Sequence, residues 1–124
     1  MLREMFKSKI HGAVLSETNL DYPGSVTIPR EVCARADILA GEKVQVVNVN
    51  TGARLETYVI AGTKPRHYAL NGGAARWGLP GDRLLIISYA TMIDTEARRF
   101  HPTILVLDAA NRVARRKGPR PGKK

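Results

Sequence analysis

Short apolar stretches broken by polar residues recur along most of the chain, a period closer to that of strands than of helices. Lys9 to Leu15 predicts a first strand, and Val26-Thr27-Ile28 a short second one. Pro29 to Asp37 predicts a helix: Pro suits a first helical position, and Val32, Ala36 and Leu39 fall on one side. Gly41 closes that unit. Lys43 to Val49 is rich in β-branched residues, Asn50-Thr51-Gly52 is a turn signal, and Arg54 to Ala61 is the returning strand of a hairpin. Gly62 to Arg66 turns again, before a short strand at His67 to Leu70. Asn71-Gly72-Gly73-Ala74-Ala75 is a run of small residues leading into a helical turn at Ala75 to Trp77. Gly78 to Asp82 is a loop, and Arg83 to Thr91 is the strongest strand. Asp94 is the expected cap of a short helical turn reaching Phe100, and Thr103 to Leu107 is the last strand. About six strands with little helix predict a mainly β chain closed into a small barrel.

The chain has 124 residues, enough for one domain with a core. It is 44% hydrophobic and 25% charged, ordinary values for a soluble protein. Its longest aliphatic runs, Leu84 to Ile87 and Ile104 to Leu107, are strand-sized and far short of a membrane span. The N-terminus shows no apolar signal-peptide core. A lone cysteine, Cys33, excludes an intramolecular disulfide and suits the cytoplasm.

The formal net charge is +9, which invites a nucleic-acid partner. Its distribution weakens that reading. Seven of the 20 basic residues fall between Arg112 and Lys124, where no acidic residue occurs. The remainder carries 13 basic and 11 acidic side chains and is nearly neutral. The expected organisation is a single domain over residues 1–111 and a basic, disordered tail over 112–124. His11, His67 and His101 are widely spaced and Cys33 has no nearby partner, so no metal site is expected. No phosphate-binding glycine loop is present.

Tyr22-Pro23-Gly24-Ser25 carries the candidate chemistry. Pro presets φ for a first corner, and Gly accepts a positive φ at the second, so the stretch reads as a tight turn. A serine hydroxyl next to the Gly24 carbonyl also permits an N-to-O acyl shift. That route requires that Gly24 be able to adopt a conformation closed to side-chain-bearing residues, and a group that polarises the carbonyl. Elimination from the resulting ester and hydrolysis would leave a ketone at the new N-terminus.

The order Lys9-x-His11, Tyr22-Pro23-Gly24-Ser25, Asn48-Val49, Arg54-x-x-Thr57-Tyr58, Asn71-Gly72-Gly73-Ala74-Ala75, Gly81-Asp82 and Ile86-Ile87-Ser88-Tyr89 closely resembles the aspartate 1-decarboxylase family. The resemblance covers about residues 1–107. It implies a six-stranded double-psi β-barrel with short helices, a homotetramer, and a precursor that cuts itself into 1–24 and 25–124. Ser25 then becomes a covalent pyruvoyl group, with neither pyridoxal phosphate nor metal. By position, Thr57 resembles the hydroxyl that polarises the Gly24 carbonyl during cleavage and later borders substrate. Tyr58 resembles the catalytic proton donor, and Arg54 and Lys9 the cations that hold substrate carboxylates. Gly72, Gly73 and Ala74 match the backbone segment along the substrate, although the family more often has Ala at the place of Gly73. The implied reaction converts L-aspartate to β-alanine and CO2, for pantothenate and coenzyme A in the cytoplasm, with no nucleic-acid or membrane partner.

The residue types agree with that chemistry. Decarboxylating an α-amino acid leaves an electron pair on the α-carbon, so an electron sink is needed. A ketone supplies one, a phenol can return a proton, and a guanidinium offers a bidentate fork to a second carboxylate. Each residue also has a plain reading. Arg54 is a solvated strand charge, Tyr58 a packed aromatic, Thr57 ordinary strand composition and Lys9 a surface lysine. In a regular strand Arg54 and Tyr58 share a face roughly 13 Å apart while Thr57 points to the other. Convergence on one ligand therefore requires a twist, a bulge or a second subunit.

An alternative resemblance belongs to another class. Val26 to Glu31, followed by Leu39 to Val44, is similar to the swapped-hairpin DNA-binding domains of transition-state regulators. It covers only residues 25–49, and the nearly neutral body lacks the basic face that DNA binding uses.

Overall fold

The structure is a computed structural model and describes residues 1–119. In chain order its elements are β1 (Leu2–Val14), β2 (Glu17–Asn19), β3 (Ser25–Pro29), α1 (Arg30–Ala36), β4 (Lys43–Asn48) and β5 (Arg54–Gly62). They continue with β6 (Ala69–Asn71), a 3-10 helix (Gly72–Trp77), β7 (Arg83–Ile93), α2 (Asp94–Ala97), β8 (Thr103–Leu107) and β9 (Val113–Lys117). The strands form one mixed sheet in the order β2-β6-β3-β5-β4-β7-β1-β8-β9. The β2–β6, β3–β5 and β1–β8 ladders are parallel and the others antiparallel.

Alternation along the long strands builds the core. Ile10, Val26, Ile28, Val46, Ile86 and Leu105 are each fully buried, and burial of such a side chain contributes about 1.5–3 kcal/mol. Cys33 belongs to this core, and burial pushes its thiol pKa up to about 11. Among the described residues no helix is long and apolar enough to cross a membrane.

Nine strands are present among the described residues, where the pattern predicted about six. β1 starts seven residues earlier than expected, because β7 is long enough to pair back to Leu2, opposite Ile93. β2 is polar and carries no apolar alternation; its backbone is held by β6. The tail expectation is corrected at its start, since β9 occupies Val113–Lys117 and pairs with the outer edge of β8. Main-chain ladder bonds do not depend on apolar side chains, and Val113 packs against the core. The remainder of the expected disordered tail, from residue 120, lies outside the described residues.

Two helix readings also change. Helix α1 ends at Asp37, which takes the left-handed conformation (φ 57°, ψ 48°) more usual for glycine. The chain leaves there, so Ile38 is buried and Leu39, expected on the same side as Val32 and Ala36, is 72% exposed. Asp94 is not a cap but the first residue of α2. Its carboxylate accepts hydrogen bonds from the Arg3 and Arg98 guanidinium groups.

A buried asparagine closes the far end of the sheet. Asn111, at φ 61°, accepts the Val14 N–H at 2.7 Å and donates to the carbonyls of Val14 (2.9 Å) and Arg66 (3.0 Å). It ties the turn between β8 and β9 to the end of β1.

Candidate active site

Ser25 opens β3 and is fully buried. Its hydroxyl donates to the Pro23 carbonyl at 3.0 Å, so it lies back over the peptide that precedes it. It also accepts a hydrogen bond from Asn71 Nδ2 at 3.0 Å. The ladder explains the meeting, because β3 and β6 run antiparallel with Ser25 directly opposite Asn71. The second Asn71 N–H is donated to Thr27 Oγ1 at 2.9 Å. Asn71 is 2% exposed, and its amide holds both hydroxyls of one β3 face.

The geometry around Gly24 differs from the expected turn. The hydrogen bond that closes the chain here runs from Tyr22 N–H to the Asn19 carbonyl (3.4 Å), one turn earlier than Tyr22 to Ser25. Gly24 is not among the positive-φ glycines, and a Cβ on it would meet nothing nearer than the Gly73 nitrogen at 3.9 Å. The glycine requirement falls on Gly72 instead. Its φ is +60°, and a Cβ there would lie 2.6 Å from both the Gly24 nitrogen and the Tyr22 carbonyl oxygen. Only a bare backbone lets the start of the 3-10 helix lie against the Gly24 peptide. Gly73 is exposed, and a Cβ on it would meet nothing within 4 Å. Ala74 is buried and packs with the core.

The other candidates divide between two faces. In the parallel β3–β5 ladder Val26 pairs with Val59, both buried toward the core. One step earlier stand Ser25 and Tyr58, which therefore share the opposite face. Tyr58 is 41% exposed. Arg54 is on the Tyr58 face, roughly 13 Å earlier along β5. Its guanidinium reaches Gln45 Oε1 at 3.5 Å, which Tyr89 OH also approaches at 3.4 Å. Thr57 points to the core side, opposite Val44, and shares no hydrogen bond with the Ser25 hydroxyl. Lys9 pairs with Ile87 on β7 and lines a shallow pocket with Phe6, Ile87 and Tyr89. Four ladder spacings separate β1 from β3, roughly 19 Å along the sheet. One chain thus joins Gly24, Ser25, Gly72 and Gly73, sets Tyr58 beside them, and leaves Lys9 and Thr57 apart.

Two asparagines outside the predicted site residues shape this region. Asn71 was visible as part of the small-residue run, but its pairing with Ser25 depends on strand register. Asn48 is fully buried and satisfies all its amide groups. It donates to the Trp77 carbonyl (3.0 Å) and Asp82 Oδ2 (2.8 Å) and accepts from the Asn50 and Thr51 N–H groups. It thereby fixes the end of the 3-10 helix against the hairpin that leads into Arg54. The Asn48 amide, followed by the Leu79 N–H, holds the Asp82 carboxyl below the usual carboxylate range. Among the described residues no three His, Cys, Asp or Glu side chains form a metal-ligating group.

Fold and site together define a small mainly β protein organised around a buried serine, whose hydroxyl is folded back on the preceding peptide and pinned by an asparagine. A family model described as aspartate decarboxylase matches residues 1–114. The chain is 52% identical over 114 residues to an aspartate 1-decarboxylase of Pelotomaculum thermopropionicum, covering 91% of this chain and 86% of that one. It is 50% identical to that of Heliobacterium modesticaldum over the same shares. It is 48% identical to that of Moorella thermoacetica over 98% of this chain and 97% of the relative. The chain belongs to the aspartate decarboxylase family, a family of lyases. The match runs far past residues 25–49, the whole extent of the likeness to DNA-binding regulators.

Proposed function

We propose that this protein decarboxylates L-aspartate to β-alanine and CO2, using a pyruvoyl group that it makes from Ser25. The observation that carries the reading is the buried Ser25 hydroxyl, held between the Pro23 carbonyl and the Asn71 amide in a chain of this family. In self-cleavage Ser25 Oγ attacks the Gly24 carbonyl carbon. The C–N bond breaks and the hydroxyl proton passes to the Ser25 nitrogen, leaving an ester. Loss of the Ser25 Cα proton expels the Gly24 carboxylate. Tautomerisation and addition of one water then release ammonia and leave the ketone.

The surroundings of Ser25 fit such a group. A pyruvoyl is no larger than the serine residue it replaces, and the Asn71 amide and Thr27 hydroxyl already offer hydrogen-bonding partners there. When formed, the group supplies the electron sink that decarboxylation requires. Tyr58, beside Ser25 on the adjoining strand, donates the proton that replaces CO2. Arg54 and Lys9 hold the substrate carboxylates, and the Gly72–Gly73–Ala74 backbone borders the substrate. Thr57 polarises the Gly24 carbonyl during cleavage.

Lys9, on β1, stands four strands from Ser25 in the sheet order, which supports a site completed by a neighbouring copy in a homotetramer. The parallel placement of β3 on β5 and of β1 on β8 supports a double-psi β-barrel. The same reading places the enzyme in the cytoplasm, in pantothenate and coenzyme A synthesis. Intact-mass measurement tests it: two pieces, 1–24 and 25–124, are expected, the larger without a free amine. A chain that stays whole after prolonged incubation overturns the reading.

A further inference from the structure

Thr27 stands just past the proposed cleavage bond and belongs to none of the decarboxylase motifs above. Its hydroxyl accepts the Asn71 N–H that is not given to Ser25. A second, independent contact fixes where that hydroxyl points. A Cβ on Gly62 would lie 2.7 Å from Thr27 Cγ2, so the Thr27 methyl fills the space that the missing side chain leaves. The neighbouring backbone is the Ile28 carbonyl, 3.6 Å from the same point. β-Branched side chains are stiff at χ1. Seating the methyl against Gly62 therefore sets the direction of Oγ1 as well.

The Asn71 amide has somewhere else to go. A cavity of about 290 Å3 opens on this face, bordered by Thr27, Asn71, Tyr22, Lys64, His67 and Glu17. Its polar lining could take the Asn71 amide away from β3. The Thr27 hydroxyl competes with that alternative, because with it in place both amide hydrogens are satisfied on one strand face.

We propose that Thr27 is a positioning residue for self-cleavage, oriented by Gly62 and acting through Asn71 on the Ser25 hydroxyl. The proposal rests on the reading of Ser25 as the cleavage nucleophile. It requires that Thr27 contribute a hydroxyl and that Gly62 contribute the space for a methyl. Serine at 27 supplies the hydroxyl without the methyl, and valine supplies the shape without the hydroxyl.

The test follows self-cleavage of freshly made full-length precursor by intact mass, for wild type, Thr27→Val, Thr27→Ser, Gly62→Ala and the double variant Gly62→Ala/Thr27→Ser. Circular dichroism confirms that each is folded. Thr27→Val is expected to slow cleavage about tenfold, the effect of one lost orienting hydrogen bond. Thr27→Ser, which keeps the hydroxyl but loses the methyl that aims it, should fall between wild type and Thr27→Val. Gly62→Ala should slow cleavage about as much as Thr27→Val, and serine at 27 should rescue it by removing the methyl that clashes. Wild-type speed in folded Thr27→Val overturns the proposal. So does a double variant as slow as Gly62→Ala alone, which keeps the test decisive if valine at 27 does not fold. A wild-type chain that never cleaves defeats the self-cleavage reading itself, and this proposal with it.

Discussion

Gly72 and Gly24 meet backbone to backbone. A Cβ on Gly72 would stand 2.6 Å from the Gly24 nitrogen and 2.7 Å from its Cα, at a φ of +60°. A Cβ on Gly73, the next residue, would meet nothing within 4 Å. Gly72→Ala is therefore expected to cost about 3 kcal/mol in stability, from left-handed strain and overpacking together, and to impair processing at residue 24. Gly73→Ala should fold and process normally. Denaturant unfolding and intact mass of the two variants side by side check this contrast.

Cleavage and turnover should separate at two hydroxyls. Ser25→Ala is expected to give a folded, uncut chain without decarboxylase activity, since it loses the attacking oxygen. Tyr58→Phe should still cut itself and yet lose turnover, because in the proposed roles the phenol acts only on substrate. Mass spectrometry combined with a CO2-release assay tests both. Activity in uncut Ser25→Ala, or full turnover in Tyr58→Phe, contradicts the assigned roles.

Among the described residues Tyr68 is the largest fully buried side chain, and its hydroxyl has no hydrogen-bond partner. Burial pushes its pKa up, so the phenol stays neutral. An unsatisfied buried hydroxyl costs about 1–3 kcal/mol. Tyr68→Phe should thus raise stability by about 1 kcal/mol, read as a higher denaturation midpoint at unchanged slope. A marked loss of stability would show that the hydroxyl has a partner after all.

Acid should weaken the Asn48–Asp82 tie. Asp82 is held below its ordinary value of 3.8 by the Asn48 amide and the Leu79 N–H. A carboxyl depressed in the folded state stabilises the protein above its unfolded pKa, and that contribution fades as pH falls through the folded pKa. Asp82→Asn removes this titration. Wild type should accordingly be the more stable at neutral pH, with the gap closing below about pH 4. A gap that stays constant between neutral pH and pH 2 would contradict the assignment.

The parts legible in the sequence were those whose signal is local. The β4–β5 hairpin could be read from β-branched residues around Asn50-Thr51-Gly52, and β7 from its aliphatic run. β2 and β9 could not, because Glu17-Thr18-Asn19 and the basic stretch after Val113 owe their conformation to ladders with β6 and β8. Leu39 was misplaced because Asp37, not glycine, takes the left-handed helix end. At the site, Gly24-Ser25 was visible as a pair, yet the residue that must be glycine is Gly72. That requirement arises from contact with a segment almost fifty positions away. Thr27 escaped notice, and Asn71 was read only as part of a small-residue run, for the same reason: each is ordinary until register places them together.

Strand β1 lies between β7 and β8 and is latched at its end by Asn111. A chain severed after residue 24 would keep its short piece woven into the middle of the sheet. The product would be a two-part molecule whose parts share no covalent bond. Unfolding it would release two strangers, so refolding would become a bimolecular encounter and stability would vary with protein concentration. A cut placed downstream of an interior strand would turn an irreversible covalent event into one that leaves the architecture standing but can be completed in only one direction.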